Sequence, residues 1–316
     1  MEILVVTACV LLGLTVLFFL ASFVCFFLTF YSPKRKFLDS DEIRIPDGEI
    51  YEPFREQMTI WTKELRRMPK KELEAKSFDG LTLRGRYYET TPDSIVELMF
   101  PGYRGDAERD LCGGVQRCKA LGRSALIVDQ RAGGRSDGHV ITFGVKESRD
   151  VLSWLEVMNK EFGTNRRIIL TGISMGAATV LAASGYDLPE NVVGIIADCG
   201  YTTPEKIIKK VIKDLKLPIR LIYPLIKAGA FIYGGIRLDS VTPEKSVKKC
   251  KVPVFFAHGE DDAFVPCEMS RENFDNCKSK KLFLKVKGAG HGLSFLVSPD
   301  EYINVLREIE KEYANL

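Results

Sequence analysis

From Ile3 to Tyr31 the chain carries no charged residue. As a helix this run would extend about 43 Å, more than the ~30 Å hydrocarbon core of a bilayer. A secretory signal would open on basic residues and have a shorter apolar stretch, whereas this chain opens on Met1-Glu2. The run is read as a single-pass membrane anchor. Lys34-Arg35-Lys36 follows at once, and the positive-inside rule then places the bulk of the chain in the cytoplasm. Residues 37–48 form a polar linker containing Pro46 and Gly48. Tyr51, Phe54, Met58, Trp61, Leu65 and Met68 then recur at alternating three- and four-residue intervals. That spacing predicts an amphipathic helix over 51–68, with Pro53 in its first turn and Pro69 at its stop. Its stripe packs on the protein's own domain or lies along the membrane surface.

Residues 73–88 read as a hairpin turning at Asp79-Gly80. Strands are then predicted near 95–100, 125–129, 168–172, 193–198, 254–258 and 282–287. Helices are predicted near 107–121, 145–162, 175–185, 268–277 and 299–314. This alternation implies a mostly parallel sheet covered by helices on both faces. One stretch breaks the rhythm: more than about fifty residues separate Asp198 from Val254, too many for an ordinary crossover. Within it, Lys206 to Leu238 is apolar and basic, interrupted by Pro218 and Pro224, with Asp214 as its single acid. We expect a helical cap inserted over about 201–240 at the C-terminal edge of the sheet. Its apolar side chains would line an acyl pocket, and its basic ones would face an anionic leaflet.

The 316 residues, 46% of them apolar, suffice for one large domain and an accessory segment. The expected layout is an anchor over 3–31, a linker with its amphipathic helix over 32–72, and a catalytic domain over 73–316. A net charge of +3 without a long basic run argues against nucleic-acid binding. Eight cysteines without a C-x-x-C pair read as reduced thiols rather than a disulfide framework. With only three histidines, no zinc-ligand spacing is present.

The strongest chemical signal is Gly172-Ile173-Ser174-Met175-Gly176, between the β-branched run Ile168 to Leu170 and the helical stretch Ala177 to Ala183. A serine at such a strand-to-helix turn sits on a strained backbone with its hydroxyl pushed outward. The flanking glycines remove side chains that would collide in so sharp a turn. Serine is a weak nucleophile and needs a base, usually a histidine oriented by a carboxylate. His139 precedes the serine in a polar loop, and His258 ends an apolar strand, where packing is its role. His291, in the flexible Gly288-Ala289-Gly290-His291-Gly292 loop after the last strand, is the best base. Glu260, Asp261 and Asp262 follow the preceding strand; Asp262 is preferred as the acid, with Asp261 the alternative. The order Ser174, Asp262, His291 suits an α/β-hydrolase arrangement. Backbone N–H groups of Met175 and Tyr103 would supply the oxyanion donors, the latter from the loop Phe100 to Asp106.

These residues resemble the α/β-hydrolase superfamily of serine hydrolases, in particular the membrane-anchored bacterial type similar to Bem46-like proteins. The resemblance covers roughly residues 73–316. It rests on Gly172-x-Ser174-x-Gly176, on His258-Gly259-x-x-Asp262-x-x-Val265-Pro266, and on Gly290-His291-Gly292. Asp129 to Ser136 is similar to the family's D-x-R-G-x-G-x-S loop. It is the spacing to Val265-Pro266 that places the acid at Asp262. Relatives usually carry His-Gly where this chain has Pro101-Gly102, although the donor there is a backbone amide. The resemblance implies a serine esterase acting through an acyl-enzyme, without cofactor or metal, and the anchor and cap together would present its site to apolar or lipid-like esters. A peptidase, a thioesterase or a catalytically silent binding protein would share the same fold.

Overall fold

The structure is a computed structural model that describes residues 1–33 and 42–313. Lys34-Arg35-Lys36, on which the cytoplasmic orientation rests, lie outside the described residues, as does the first part of the linker. Helix α1 (Glu2–Phe30) is followed by a short 3-10 turn (Glu49–Phe54) and by α2 (Arg55–Arg67). The helix expected over 51–68 therefore begins in 3-10 geometry, with Pro53 inside Glu49–Phe54, and is α-helical only from Arg55. Met58, Thr62 and Leu65 turn α2 inward, so its stripe packs on the protein itself.

The main body is a sheet of eight strands: β1 (Lys71–Lys76), β2 (Thr82–Tyr88), β3 (Val96–Phe100), β4 (Ser124–Val128), β5 (Ile168–Ile173), β6 (Val192–Asp198), β7 (Val254–Gly259) and β8 (Lys281–Val286). Their spatial order is β1-β2-β4-β3-β5-β6-β7-β8. Only β2 runs against its neighbours; from β4 to β8 every pairing is parallel. The hairpin turns at Gly80, whose φ of 91° suits glycine. Parallel strands need long crossovers, and these supply α3 (Ala107–Leu121), α4 (Glu147–Phe162), α5 (Met175–Ala183) and the pair α6 (Pro204–Asp214) and α7 (Ile219–Gly234). Further along come α8 (Pro243–Ser246), α9 (Cys267–Asn276), α10 (Ser294–Val297) and α11 (Pro299–Tyr313).

Side chains alternate across β3. Leu98 and Phe100 pack with Trp154 and Leu155 of α4 and with Val180 and Leu181 of α5. Met99 points to the opposite face, against Leu111 and Val115 of α3 and Leu65 of α2. Both faces are covered, so β3 and β4 read as unbroken apolar runs apart from Glu97 and Ser124. Glu97 is fully buried, and Arg117 and Arg123 each meet it at 2.5 Å. Arg123 also pairs with Glu310 of α11.

The end of α1 is built into this body. Phe30 is 0% exposed and stands 5.6 Å from Phe143. The N–H of Ile141 donates to Phe30 O (2.8 Å), and Ser32 N–H donates to His139 O (2.8 Å). The last carbonyls of a helix have no partner within it. Here Tyr103 Oη donates to Thr29 O (2.7 Å), and Arg104 Nη2 donates to Leu28 O (2.9 Å) and Tyr31 O (2.8 Å). On the other side α1 lies against α7. Gly229 permits that approach, since a Cβ there would stand 2.4 Å from Ser22 O.

The α6–α7 pair corrects one expectation. Its inward face, with Ile207, Ile208, Ile212, Tyr223, Ile226 and Ala230, forms a core with Phe26 and Phe30 of α1. Because α1 already occupies that face, Leu215, Leu217, Leu221, Phe231 and Ile232 are left exposed instead of lining an acyl pocket.

Candidate active site

The turn from β5 into α5 brings Ser174 to the C-terminal edge of the sheet. Its φ of 57° and ψ of −118° lie outside the regions that L-residues favour. The turn closes so tightly that a Cβ at Gly172 would stand 2.1 Å from Gly176 O, and one at Gly176 would stand 2.0 Å from Phe100 O. Glycine at both positions is therefore a steric requirement. Ser174 N–H donates to Asp198 O (2.8 Å), which fixes the turn to β6.

Asp262 lies just beyond β7, in a loop that wraps its own carboxylate. Phe264 N–H and Val265 N–H both donate to Oδ1, at 2.9 and 2.8 Å. Oδ2 faces two histidines: His291 Nδ1 lies 2.7 Å away and His258 Nε2 3.1 Å away. Across the ring, His291 Nε2 stands 2.9 Å from Ser174 Oγ. With Nδ1 donating to Asp262, Nε2 is the acceptor for the serine proton. Burial pushes the Asp262 carboxyl up, but hydrogen bonds from His258 and His291 more than reverse this and hold it well below the usual carboxylate range. Asp261, the alternative acid, is exposed, and among the described residues no hydrogen bond joins it to this chain of bonds. His139 is stacked at 5.8 Å on Tyr31.

Met175 follows the serine at the start of α5, and Tyr103 lines the same cavity as Ser174. A Cβ on Gly102 would stand 3.5 Å from Ser174 Cβ, so this loop passes close to the hydroxyl. Gly102 N–H donates to Asp110 Oδ2 (2.9 Å) and is already engaged. Among the described residues, neither Tyr103 N–H nor Met175 N–H has a backbone or side-chain acceptor.

An open cavity of about 430 Å³ lies over Ser174 and His291. Ile50, Tyr51, Met58, Tyr103, Ile173 and Phe264 give it apolar walls, and Arg109 and Asp110 form a polar patch. Its roof comes from residues 46–51, and no residue of α6 or α7 lines it. Cys199, Asp262 and His291 place potential metal-ligating atoms within 4.8 Å of one another. They suit a metal poorly. Asp262 Oδ2 and His291 Nδ1 are bonded to each other, and burial raises the Cys199 thiol well above its ordinary range, away from the thiolate that binds metal.

No family model matches the chain. Among solved structures, the Pyrococcus furiosus esterase Pf2001 aligns over 90% of this chain and 98% of its own, with a TM-score of 0.64 at 19% identity. This fold is the α/β-hydrolase fold. Two curated proteins are similar in sequence. The Bacillus subtilis (strain 168) protein YqkD is 25% identical over 189 residues, which span 60% of this chain and 62% of that protein. The Arthrinium phaeospermum thiohydrolase apmlB is 32% identical over 138 residues, 42% of this chain and 43% of its own. The chain thus spans less than two thirds of the curated relatives it matches.

Three residues around this α/β-hydrolase site had no functional assignment from sequence. His258 is fully buried, with Nε2 2.8 Å from Val265 O and 3.1 Å from Asp262 Oδ2, while Nδ1 meets Ser270 Oγ at 2.6 Å. It holds the acid loop in shape rather than merely filling the strand end. Tyr51 Oη donates to His291 O (3.0 Å), and Asp110 ties Gly102 to Arg109. The signal for His258 lay in its four-residue spacing to Asp262; Tyr51 and Asp110 had none beyond their polarity.

Proposed function

We propose that this chain is a membrane-anchored serine hydrolase that cleaves carboxylic esters of apolar acyl groups. The observation that carries the reading is the continuous chain Ser174 Oγ, His291 Nε2, His291 Nδ1 and Asp262 Oδ2, with steps of 2.9 and 2.7 Å. Ser174 attacks the carbonyl while His291 takes its proton, and the Tyr103 and Met175 amides hold the oxyanion. His291 then returns the proton to the departing alcohol. Water, deprotonated by the same imidazole, releases the acid and regenerates the serine. The apolar walls of the cavity favour an acyl chain over a charged substituent.

The anchor reading is supported by α1's 29 residues, an 18-residue stretch within it of mean hydropathy 2.9, and its docked C-terminal end, which a cleaved leader would not need. Thioester cleavage is the second reading, favoured by the similarity to a thiohydrolase. The same triad serves both bonds.

Ser174→Ala tests the proposal. We expect kcat on p-nitrophenyl esters to fall by about 10⁴–10⁶, fluorophosphonate labelling to vanish, and the thermal midpoint to hold. Activity within about tenfold of wild type would remove the serine from the mechanism. A parallel panel of oxygen esters and thioesters of varied chain length decides between the two bonds.

A further inference from the structure

We infer that α7 is itself seated in the membrane, with its exposed apolar face against lipid beside α1. The inference rests on the reading of α1 as a membrane span.

The first argument is geometric. The Tyr233 hydroxyl of α7 donates to Phe19 O (2.8 Å), and its ring meets Phe23 edge-on at 5.2 Å. Gly229 faces Ser22 O. Ahead of Phe19, residues 3–18 reach only about 24 Å at about 1.5 Å per residue, short of the ~30 Å hydrocarbon core. A span must therefore include Phe19 and at least the next turn, the part of α1 to which α7 is attached. The lipid side of α1 agrees, because Phe23, Val24, Phe27 and Leu28 are all exposed. The C-terminal part of α7, from Gly229 to Tyr233, thus sits at bilayer depth wherever α1 crosses.

The second argument is the surface α7 presents there. At 100° per residue, Leu221, Pro224, Phe231 and Ile232 share one side of the helix, opposite to the buried Tyr223, Ile226 and Ala230. Leu221 is 61% and Phe231 57% exposed, and Leu215 and Leu217 extend this apolar surface through the preceding turn. Lys213, Lys216, Arg220 and Lys227 fringe it and are exposed. An apolar face bordered by cations is what an interfacial helix shows to the acyl and head-group layers. The continuous apolar surface from α1 onto α7 argues for lipid over a protein partner.

The test uses the full chain in phosphatidylcholine–phosphatidylglycerol vesicles containing a phospholipid with a diazirine in its acyl chain. After photolysis, adducts are mapped by peptide mass spectrometry. We expect adducts on α1 and on peptides carrying Leu221, Phe231 and Ile232. Replacing Leu221→Asp, Phe231→Asp and Ile232→Asp together should reduce the α7 adducts by about tenfold while those on α1 persist. Unchanged turnover of a short soluble ester would show that the variant is folded. Adducts confined to α1 in the wild-type chain would overturn the inference, keep the span, and leave the face to a second copy of the chain. Adducts on neither helix would overturn the span, and the inference with it.

Discussion

Ser174, Asp262 and His291 are separated by 88 and 29 residues in sequence, and single hydrogen bonds join them in space. The carboxylate fixes which imidazole nitrogen carries the proton. Asp262→Asn should therefore present an N–H or a carbonyl where a charge belongs, and lower kcat by about 10⁴. Asp261→Asn, at an exposed position, should stay within about threefold of wild type. Steady-state kinetics on one soluble ester compares the two, and a reversed order would move the acid to Asp261. The residues of the elbow were legible because backbone geometry dictates them. A turn that drives one Cβ position into a carbonyl leaves glycine no substitute, and that constraint is written in the sequence. Tyr51 was not legible. It reaches His291 from 240 residues away, and nothing local to Ile50-Tyr51-Glu52 marks it.

At the scale of elements, the apolar and basic composition of Lys206 to Leu238 announced a helical segment but could not say what its apolar face would meet. Amphipathicity reports that a face avoids water; its partner is set by whatever reaches it first, here the end of α1. The same docking joins α1 to the loop carrying a proposed oxyanion donor. Tyr103→Phe keeps the backbone N–H but leaves Thr29 O without its donor. The loss should be about 1–3 kcal/mol of stability, read as a lower thermal midpoint in detergent. The accompanying fall in kcat should be modest beside that of Ser174→Ala. A midpoint equal to wild type would show that water replaces the hydroxyl and that the bond fixes nothing.

Over the whole molecule, the strand–helix alternation announced a mostly parallel sheet, but not which strands would be neighbours. Apolar runs such as Val96 to Phe100 and Ser124 to Val128 are interchangeable in pattern, so β4 lying outside β3 becomes visible only in the assembled sheet. The Glu97 cluster fastens that assembly, linking β3 to α3 through Arg117 and to α11 through Arg123 and Glu310. Burial pushes the Glu97 carboxyl up, yet the two guanidinium groups outweigh it and lower the group from 4.5 to about 2. A carboxyl lowered by folding contributes stability above its unfolded value and loses it as pH falls towards the folded one. The thermal midpoint should therefore decline between about pH 4.5 and pH 2. Glu97→Gln should flatten that decline and, at neutral pH, cost about 3–5 kcal/mol by stranding two buried cations. An unaltered pH profile in the variant would assign the acid sensitivity to other carboxyls.

The backbone of Ser174 sets thermal endurance against turnover. Its φ of 57° is comfortable only for glycine, and holding a residue with a Cβ there costs about 1–3 kcal/mol. Ser174→Gly should therefore yield a dead enzyme that melts above its parent by about 2–4 °C for each kcal/mol of strain released. Ser174→Ala, which keeps the Cβ, should be equally dead and melt with the parent. A directed search for heat resistance that ignored catalysis would arrive at glycine here, so any selection for a sturdier version of this protein has to score hydrolysis in the same round.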